Sequence, residues 1–245
     1  MKLTIVNEQP RYSRPKLIEP PALGYVYMAA AVDPPRRIPR PGRSARRTAL
    51  LTRLKSLARQ LEDHQEVVKA TVYRAIVIPP PSGDARRAAR LARFDVAVLV
   101  ETTSPEAIGE VQATEPYKLL LEAMTDAAED LYVMTARCIR RIGDVDKTRQ
   151  GLFLFNHFVA EDPEVALQVW DHLAGWFQVE TGLDNSTLLE PIGDADYVFV
   201  NHARWDISLP TFMLRQFAKP SFYSYVLANL RANRTGSMPV LYRLA

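Results

Sequence analysis

Two Asn–His dipeptides carry the polar side chains of this sequence that are best placed for chemistry. Asn156–His157 and Asn201–His202 each end a run of apolar residues, and the tripeptide Arg204-Trp205-Asp206 follows the second pair closely. Amide and imidazole N–H groups can stabilise an oxygen that gains negative charge during a reaction. An indole can form the wall of a pocket for an apolar molecule. The residues that we predict to be catalytic are Asn156, His202 and Trp205.

Aromatic residues of two predicted helices could form a pocket beside these polar groups. The residues that we predict to bind a ligand are His157, Asn201, Arg204, Asp206, Trp170, Phe222 and Tyr225. Short polar side chains also satisfy strand ends and helix caps, and this structural role fits their positions equally well. Aromatic residues at helical spacing are, in the same way, typical of a packed core. The sequence leaves both interpretations open.

A metal site would be a different use of the same polar residues. His157, His202 and Asp206 offer two nitrogens and a carboxylate, a combination that suits non-haem iron or zinc. No ligand-spacing motif supports such a site, and neighbouring strand residues point to opposite faces. We therefore predict no metal. The sequence also contains no GxGxxG, P-loop, GxSxG or CxxC motif, so nucleotide, serine-hydrolase and thiol chemistry have no support.

The elements that must position these residues follow the same order twice. Residues 24–142 predict strands near 24–32, 67–78, 94–102 and 131–139, with helices from about Ser44 and Ser104. Residues 151–245 repeat that order, with helices that begin at Asp162 and Ser208. The spacing from Ser104 to Pro116 equals that from Ser208 to Pro220. The sequence predicts an α+β fold of two tandem ferredoxin-like βαββαβ repeats, preceded by an extended arm over residues 1–23.

The predicted sheet order brings the two dipeptides together. A ferredoxin-like unit has the strand order 4-1-3-2, so strands one and three are neighbours, and we expect them to be parallel. Asn156–His157 and Asn201–His202 should then lie side by side at one end of the sheet. The corresponding strands of the first repeat end in "AAAV" and "VLVETT" and carry no such pair. We therefore expect the site to be confined to the second repeat.

The second repeat also resembles a known family. "FVNHARWDISLPTFMLRQFAKPSFYSYV" (residues 199–226) is similar to antibiotic-biosynthesis monooxygenase-like domains in its third strand, Trp, Ser, helix and small-x-Pro-x-Phe break. These domains belong to the dimeric α+β barrel superfamily, in which two four-stranded sheets, usually from two chains, form one barrel. The resemblance covers residues 151–245 in motif and residues 24–140 only in element order. It implies that this one chain supplies both sheets, packed sheet-to-sheet as an α+β barrel.

The resemblance also implies a chemistry. A small hydrophobic or aromatic substrate that can form a carbanion would be oxygenated or isomerised without a bound cofactor. An Asn or His would stabilise the enolate oxygen, and a Trp would line the pocket. The haem-degrading members carry a histidine just beyond the Pro-x-Phe break, whereas this chain has "PSFYSYVLANL" there. We expect no haem and no other cofactor. The alternative is a non-catalytic ligand-binding or structural barrel protein.

Composition limits the partners and the compartment. The chain has 245 residues, 47% of them hydrophobic, and no run long enough to cross a membrane. Its start lacks the apolar stretch of a secretory signal, and its single cysteine, Cys138, suits a reducing cytoplasm. Residues 1–93 hold 19 Lys and Arg against 7 Asp and Glu, but the basic loops "PPRRIPRPGR" and "SGDARRAARLAR" contain no aromatic residue for base stacking. We predict a cytoplasmic protein, with no nucleic-acid or membrane partner, that could form a homodimer.

Overall fold

The computed structural model describes residues 1–35 and 39–245, so part of the basic loop "PPRRIPRPGR" lies outside the described residues. The strands are β1 (Gly24–Ala31), β2 (Val67–Val77), β3 (Ser82–Gly83), β4 (Val96–Thr102), β5 (Asp130–Gly143), β6 (Leu152–Ala160), β7 (Ser186–Pro191), β8 (Phe199–Trp205) and β9 (Thr235–Leu244). The helices are α1 (Ala45–Glu62), α2 (Ile108–Ala113), α3 (Glu115–Ala127), α4 (Pro163–Thr181), α5 (Leu209–Phe217) and α6 (Ala228–Ala232). A 3₁₀ turn spans Ala85–Arg87, and a π-helix spans Phe222–Leu227.

Eight of these strands form a closed barrel. Their order is β2-β4-β1-β5-β7-β8-β6-β9, and β9 pairs with β2 to complete the ring. Each half contributes four consecutive strands in the predicted 4-1-3-2 order. The halves join where β5 pairs with β7 and where β2 pairs with β9. The α+β barrel built by two ferredoxin-like units is therefore the architecture of this one chain.

The prediction that strands one and three of a repeat are parallel was wrong. β1 pairs with β4, and β6 pairs with β8, in antiparallel register. Each unit runs strand, helix, strand, hairpin, so its third strand returns in the direction opposite to the first. The two Asn–His dipeptides are therefore not at a common strand end. They are neighbours because they lie opposite one another in the middle of β6 and β8.

The strands are apolar on both faces because each face is covered. One face lines the barrel interior, which is filled by aromatic and aliphatic side chains from both halves, among them Tyr27, Tyr73, Phe155 and Tyr242. The other face packs under helices, with α1 and α3 over the first half. Helix α4, helix α5 and the π-helix cover the second half. This double burial explains the nearly continuous apolar runs of β1 and β6.

The N-terminal segment reaches the sheet at Ile18, which forms an isolated antiparallel bridge with Arg141 of β5. The part that precedes it lies across the helices of the second half. Two buried asparagines hold its backbone. Asn233 accepts from the N–H of Thr4 at 2.8 Å and donates to its carbonyl at 2.7 Å. Asn229 makes the same pair of bonds with Val6, both at 2.9 Å. Further along, Tyr12 is buried and its hydroxyl donates to Glu180 at 2.7 Å.

Both prolines of the Ser-to-Pro spacing stand at helix breaks. Pro116 lies in the first turn of α3, whose N-cap is Thr114, directly after α2 ends. Pro220 follows α5 and stands two residues before the first residue of the π-helix, Phe222. Proline lacks a backbone donor, so a new helical segment can begin with it but an existing one is interrupted there. The helix that we expected to begin at Ser208 is thus three successive segments: α5, the π-helix and α6.

Candidate functional site

A cavity of about 340 Å³ lies between the outer face of the second-half sheet and its helices. Strands β6, β8 and β9 form its floor, α4 and α5 form its walls, and the π-helix and α6 close it. The Asp162 side chain accepts from the N–H groups of Glu164 and Val165 at the start of α4, and Gly182 in left-handed conformation ends that helix. These caps fix the length of α4, and with it the apolar wall of the cavity.

Asn156 and Asn201 are the amides on the cavity floor. They are direct cross-strand partners on β6 and β8, so their side chains leave the sheet on the same face. Both line the cavity. Their neighbours on that face of β6, Leu154 and Phe158, are apolar and line it too. The two amides therefore form a polar spot on an otherwise apolar floor.

A serine orients each amide. The Ser237 hydroxyl, on β9, donates to Oδ1 of Asn156 at 2.8 Å. The Ser186 hydroxyl, on β7, donates to Oδ1 of Asn201 at 2.6 Å. Because each carbonyl oxygen is occupied, each Nδ2 amino group is the free end of its amide. Neither Nδ2 has a hydrogen-bond partner among the described residues. The serines therefore leave two N–H donor groups side by side on the cavity floor.

Tryptophans form part of the apolar wall. Trp205, at the end of β8, lines the cavity, and its indole Nε1 donates to the Thr181 hydroxyl at 3.1 Å. Its ring meets Phe212 of α5 edge-on, with centroids 4.7 Å apart. Trp170 of α4 also lines the cavity. Because the Trp205 N–H is already used, this residue offers the cavity an aromatic surface and no donor.

The π-helix supplies the opposite wall through Phe222 and Val226. A π-helix contains an extra residue in its turn and is found frequently at functional sites. Trp176 of α4 fixes the start of this segment, because its Nε1 donates to the Ser221 hydroxyl at 3.0 Å. Tyr225 points away from the cavity. Its ring packs 4.9 Å from that of Tyr12 in the N-terminal segment.

The first half of the chain also reaches this cavity, which we did not predict. Residues 79–82, three prolines and Ser82, line it. They lie in the segment that connects β2 to β4, the second and third barrel strands of the first repeat. β3 places them there, because Ser82 pairs with Ser237 on β9. The expectation that the site is confined to the second repeat is therefore incomplete.

The two histidines point into the barrel interior, away from the cavity. His157 Nδ1 donates to the Met238 carbonyl at 3.1 Å, and its Nε2 accepts from the Tyr27 hydroxyl at 3.0 Å. His202 is bonded in the same way. Its Nδ1 donates to the Leu154 carbonyl at 3.0 Å, and its Nε2 accepts from the Tyr73 hydroxyl at 3.2 Å. A carbonyl can only accept, so in both rings Nδ1 carries the proton and the imidazole is neutral.

Burial keeps these rings neutral. Desolvation lowers the pKa of His157 to about 4, and desolvation together with the nearby Lys147 ammonium lowers the pKa of His202 to about 3. The His202 ring also stacks on Phe155 with centroids 4.1 Å apart. Its predicted catalytic role therefore has no route to the cavity. Alternation along a strand is the reason: with the asparagines facing the helices, their histidine neighbours must face inward.

Arg204 and Asp206 lie at one end of the barrel. Arg204 is buried, donates to the Gln150 carbonyl at 3.0 Å, and lies over the Phe153 ring at 5.7 Å. Asp206 is half-exposed and pairs with Arg204 and Arg149, which lowers the pKa of its carboxyl group. Neither side chain lines the cavity. Of the predicted site residues, the cavity brings together Asn156, Asn201, Trp170, Trp205 and Phe222 and leaves out His157, His202, Arg204, Asp206 and Tyr225.

The cavity is nearly free of ionisable groups. Among the described residues that line it, none is Asp, Glu, His, Cys, Lys or Arg, and Tyr223 is the one phenol. The part of the chain that the structure describes also holds no group of three or more His, Cys, Asp or Glu side chains arranged for a metal ion. None of the described helices is long and apolar enough to cross a membrane. The cavity is thus apolar, with a few hydrogen-bonding groups.

No protein-family model and no curated protein matches the sequence. Solved structures do match the fold. An anthrone oxidase-like protein superposes with a TM-score of 0.63 at 11% identity, over 91% of each chain. A candidate monooxygenase from Fusobacterium nucleatum subsp. nucleatum ATCC 25586 gives 0.56 at 8% identity, over 91% of each chain. One from Lactobacillus acidophilus NCFM gives 0.50 at 9%, over 91% of this chain and 93% of the other. This likeness shows the fold alone: the chain shares its α+β barrel with these structures.

Proposed function

We propose that the chain binds a flat aromatic molecule in the cavity and oxygenates it without a bound cofactor. The observation that carries the proposal is the pair of free amide N–H groups of Asn156 and Asn201 on an apolar floor. The volume of about 340 Å³ falls within the roughly 300–1,000 Å³ of small-molecule pockets. Aromatic walls and a few oriented donors suit a hydrophobic ligand that carries one carbonyl or phenol oxygen.

The two amides would act as an oxyanion-binding pair. An aromatic ketone with an acidic C–H group becomes an enolate when it loses that proton, and the negative charge moves to its oxygen. Two N–H donors already aimed at that oxygen stabilise the enolate more than the neutral ketone, which lowers the barrier to its formation. The serine hydrogen bonds fix the direction of these donors before the substrate arrives.

The apolar lining limits the substrates that could react. With no carboxylate, imidazole or amine among the described lining residues, the proton must leave to water. The C–H group must therefore be acidic through its own aromatic system. Anthrone is such a ketone, and an anthrone oxidase-like protein shares this fold. The enolate carbon would bond to O₂, a proton would complete the hydroperoxide, and loss of water would give the quinone. One anthrone and one O₂ thus yield one anthraquinone and one water.

The test uses anthrone as the substrate, with O₂ consumption and anthraquinone absorbance as readouts. Asn156→Asp and Asn201→Asp are matched variants, because each keeps the shape and the serine bond but replaces the N–H donors with a carboxylate that repels the enolate. We expect turnover to fall by about 100-fold or more in each. Melting temperatures should fall by several degrees in each variant, because an unpaired carboxylate replaces a neutral amide on an apolar floor, so turnover is compared well below the melting transition of every variant. Unchanged turnover in both variants would exclude the proposal.

A second function is favoured by the same apolar lining: binding without turnover. A cavity that supplies no base among its described residues is also suited to a carrier or sequestering protein. The two functions separate in one experiment. Quenching of Trp205 and Trp170 fluorescence by anthraquinone, together with no O₂ consumption above the uncatalysed rate with anthrone, would identify a binding protein. Faster O₂ consumption would identify an enzyme.

Two further proposals concern assembly and location. The chain closes its barrel alone, so a homodimer would use an outer surface and would not complete the sheet. Light scattering at micromolar concentration tests it, and a mass of one chain would exclude it. We also propose a cytoplasmic location, supported by the single buried Cys138. Cell fractionation tests this, and recovery of the protein outside the cytoplasm would exclude it.

A further inference from the structure

A second site lies on the opposite half of the molecule, where the barrel closes. Here β2 pairs with β9, and α1 runs beside the seam. A cleft of about 310 Å³ opens between α1 and β2. We call it the seam cleft. Its lining residues are Arg43, Arg47, Thr48, Leu51, Thr52, Lys55, Arg74 and Ala245. Four of these eight side chains carry a positive charge, and no described lining residue carries a carboxylate side chain.

Arg74, one of the four lining cations, lies directly opposite a further cation that is not part of the lining, Arg243. Arg74 on β2 and Arg243 on β9 are cross-strand partners, so their side chains leave the sheet on the same face. Like charges in this arrangement destabilise a sheet. Desolvation is the main cause that lowers the pKa of Arg243, and the neighbouring charges of Arg74 and Arg204 lower it in the same direction. Within the described residues, neither guanidinium has a carboxylate at ion-pair distance. The fold therefore brings two like charges together at the seam, with no described carboxylate at ion-pair distance of either guanidinium.

Other lining residues of the seam cleft add further unpaired positive charge. Among the described carboxylates, none pairs with Arg43 or Lys55. Arg47 at the base of the cleft is different: it is buried, pairs with Asp95 at 2.8 Å, and donates to the backbone carbonyls of Gly42, Ala75 and Asp95. Arg47 is thus a fixed structural cation. The start of α1 is already balanced, because the Asp33 carboxylate accepts from the Ser44 N–H at 2.9 Å, so the helix dipole adds nothing to the charge of the cleft.

We propose that the seam cleft binds an anion with several negative charges, of the chemical class of a di- or triphosphate group. Arg43, Lys55, Arg74 and Arg243 supply charged donors that no described side chain satisfies, and guanidinium groups match phosphate oxygens in two-pronged geometry. Leu51 gives the cleft one apolar wall. A bound polyphosphate group replaces the repulsion across the β2–β9 seam with attraction. It thereby stabilises the joint that closes the barrel.

The experiment measures binding of pyrophosphate by calorimetry and by melting temperature, at constant ionic strength. The variants are Arg74→Gln, Arg243→Gln and Lys55→Gln. The matched control is Arg53→Gln, which removes the same charge from the exposed face of α1, where Arg53 pairs with Glu122. We expect pyrophosphate to raise the melting temperature of the wild-type protein. Each cleft variant should raise the Kd about tenfold, the usual scale for losing one charge-assisted contact, and the control should leave it unchanged.

Two further observations make the test decisive. Without any anion, Arg74→Gln and Arg243→Gln should each melt at a higher temperature than the wild type, because the opposed charge is gone. Lys55→Gln, on the surface of α1, gives a variant whose folding does not depend on the seam. No binding of pyrophosphate, or an equal loss in Arg53→Gln, would overturn the proposal. Equal affinity for inorganic triphosphate and ATP would identify phosphate groups alone as the ligand, whereas tighter binding of ATP would identify a nucleotide; either result supports the site.

Discussion

Asn156 and Asn201 stand directly opposite one another on β6 and β8, each with its carbonyl oxygen held by a serine and its amino group free. Opposed residues of antiparallel strands have Cβ atoms about 4.5–5.5 Å apart, so both amides can reach one ligand oxygen. The two serines come from the strands on either side, β9 and β7. Four strands thus build the polar centre of the cavity. We expect each serine to affect only the asparagine to which it is hydrogen-bonded.

The first prediction concerns Ser237 as a positioning residue. Ser237→Ala should lower anthrone turnover about fivefold, since a net hydrogen bond contributes roughly 1 kcal/mol. In the double variant Ser237→Ala/Asn156→Ala the serine change should add nothing, because its amide is already gone. The matched control is Ser237→Ala/Asn201→Ala, in which the two losses should multiply. If the two losses of turnover also multiply in Ser237→Ala/Asn156→Ala, Ser237 does not act through Asn156.

The second prediction concerns the free energy of unfolding against pH. The folded pKa values of His157 and His202, about 4 and about 3, lie below the ordinary value of 6.5. Above pH 6.5 both histidines are neutral in the folded and unfolded states, and stability is independent of them. As the pH falls below 6.5 the unfolded chain takes up protons that the folded chain excludes, so stability falls until about pH 3 to 4.

At pH 5 this loss should reach on the order of 2 kcal/mol for each histidine, from 1.36 kcal/mol per pKa unit. Urea unfolding at pH 7.5 and pH 5 measures it. His202→Gln should remove about half of this pH dependence while lowering stability at pH 7.5, because the Tyr73 hydroxyl loses its acceptor. His64→Gln is the control, since His64 is partly exposed and close to Glu110. An unchanged pH dependence in His202→Gln would contradict the buried, neutral assignment.

The third prediction concerns the N-terminal segment and its asparagine clamp. Asn229→Ala removes both bonds to Val6 and a third to the Tyr225 carbonyl, so it should lower the free energy of unfolding by about 2–3 kcal/mol. Thr4→Ala should change it little, because the clamp contacts the Thr4 backbone and not its side chain. Amide hydrogen exchange at Val6 gives a local readout. Equal destabilisation by both substitutions would show that side-chain packing, and not the backbone clamp, holds the segment.

The fourth prediction concerns Cys138. It is buried on β5, and burial raises the pKa of its thiol to about 11. A thiol in this state is a weak nucleophile at neutral pH. Iodoacetamide at pH 8 should therefore leave the folded protein unmodified and label it after unfolding in urea. Rapid labelling of the folded chain, measured by mass spectrometry, would contradict the packed position of this residue.

Local patterns were enough to predict the eight barrel strands, the main helices and their order. The caps at Asp162 and Ser208, the glycine stop at Gly182 and the breaks before Pro116 and Pro220 are read within a few residues of each position. The 4-1-3-2 order then made the two Asn–His pairs neighbours. The predicted strand direction was wrong. Because β6 and β8 are antiparallel, the two pairs lie in the middle of their strands. Successive residues of a strand face opposite sides of the sheet, so the asparagines face the cavity and the histidines face the barrel interior.

Other features of the cavity depend on contacts between distant parts of the chain. Ser237 lies 81 residues from Asn156, and only the β6–β9 register brings them together. Residues 79–82 reach the cavity because β3 adds to β9, a pairing of two dipeptides that no periodicity reveals. The π-helix depends on one extra residue in a turn, which leaves no mark in the pattern of apolar residues. One signal was present: three consecutive prolines mark a stiff segment suited to a cavity wall.

The central claim is that Asn156 and Asn201 together bind the oxygen of an aromatic ketone. A crystal structure of the complex with anthrone, prepared without O₂, tests it most directly. We expect the ketone oxygen to lie within roughly 3.2 Å of both Nδ2 atoms, with the ring system between Trp170, Trp205 and Phe222. A ligand bound with its oxygen away from both amides, or a cavity that stays empty at saturating anthrone, would contradict the account.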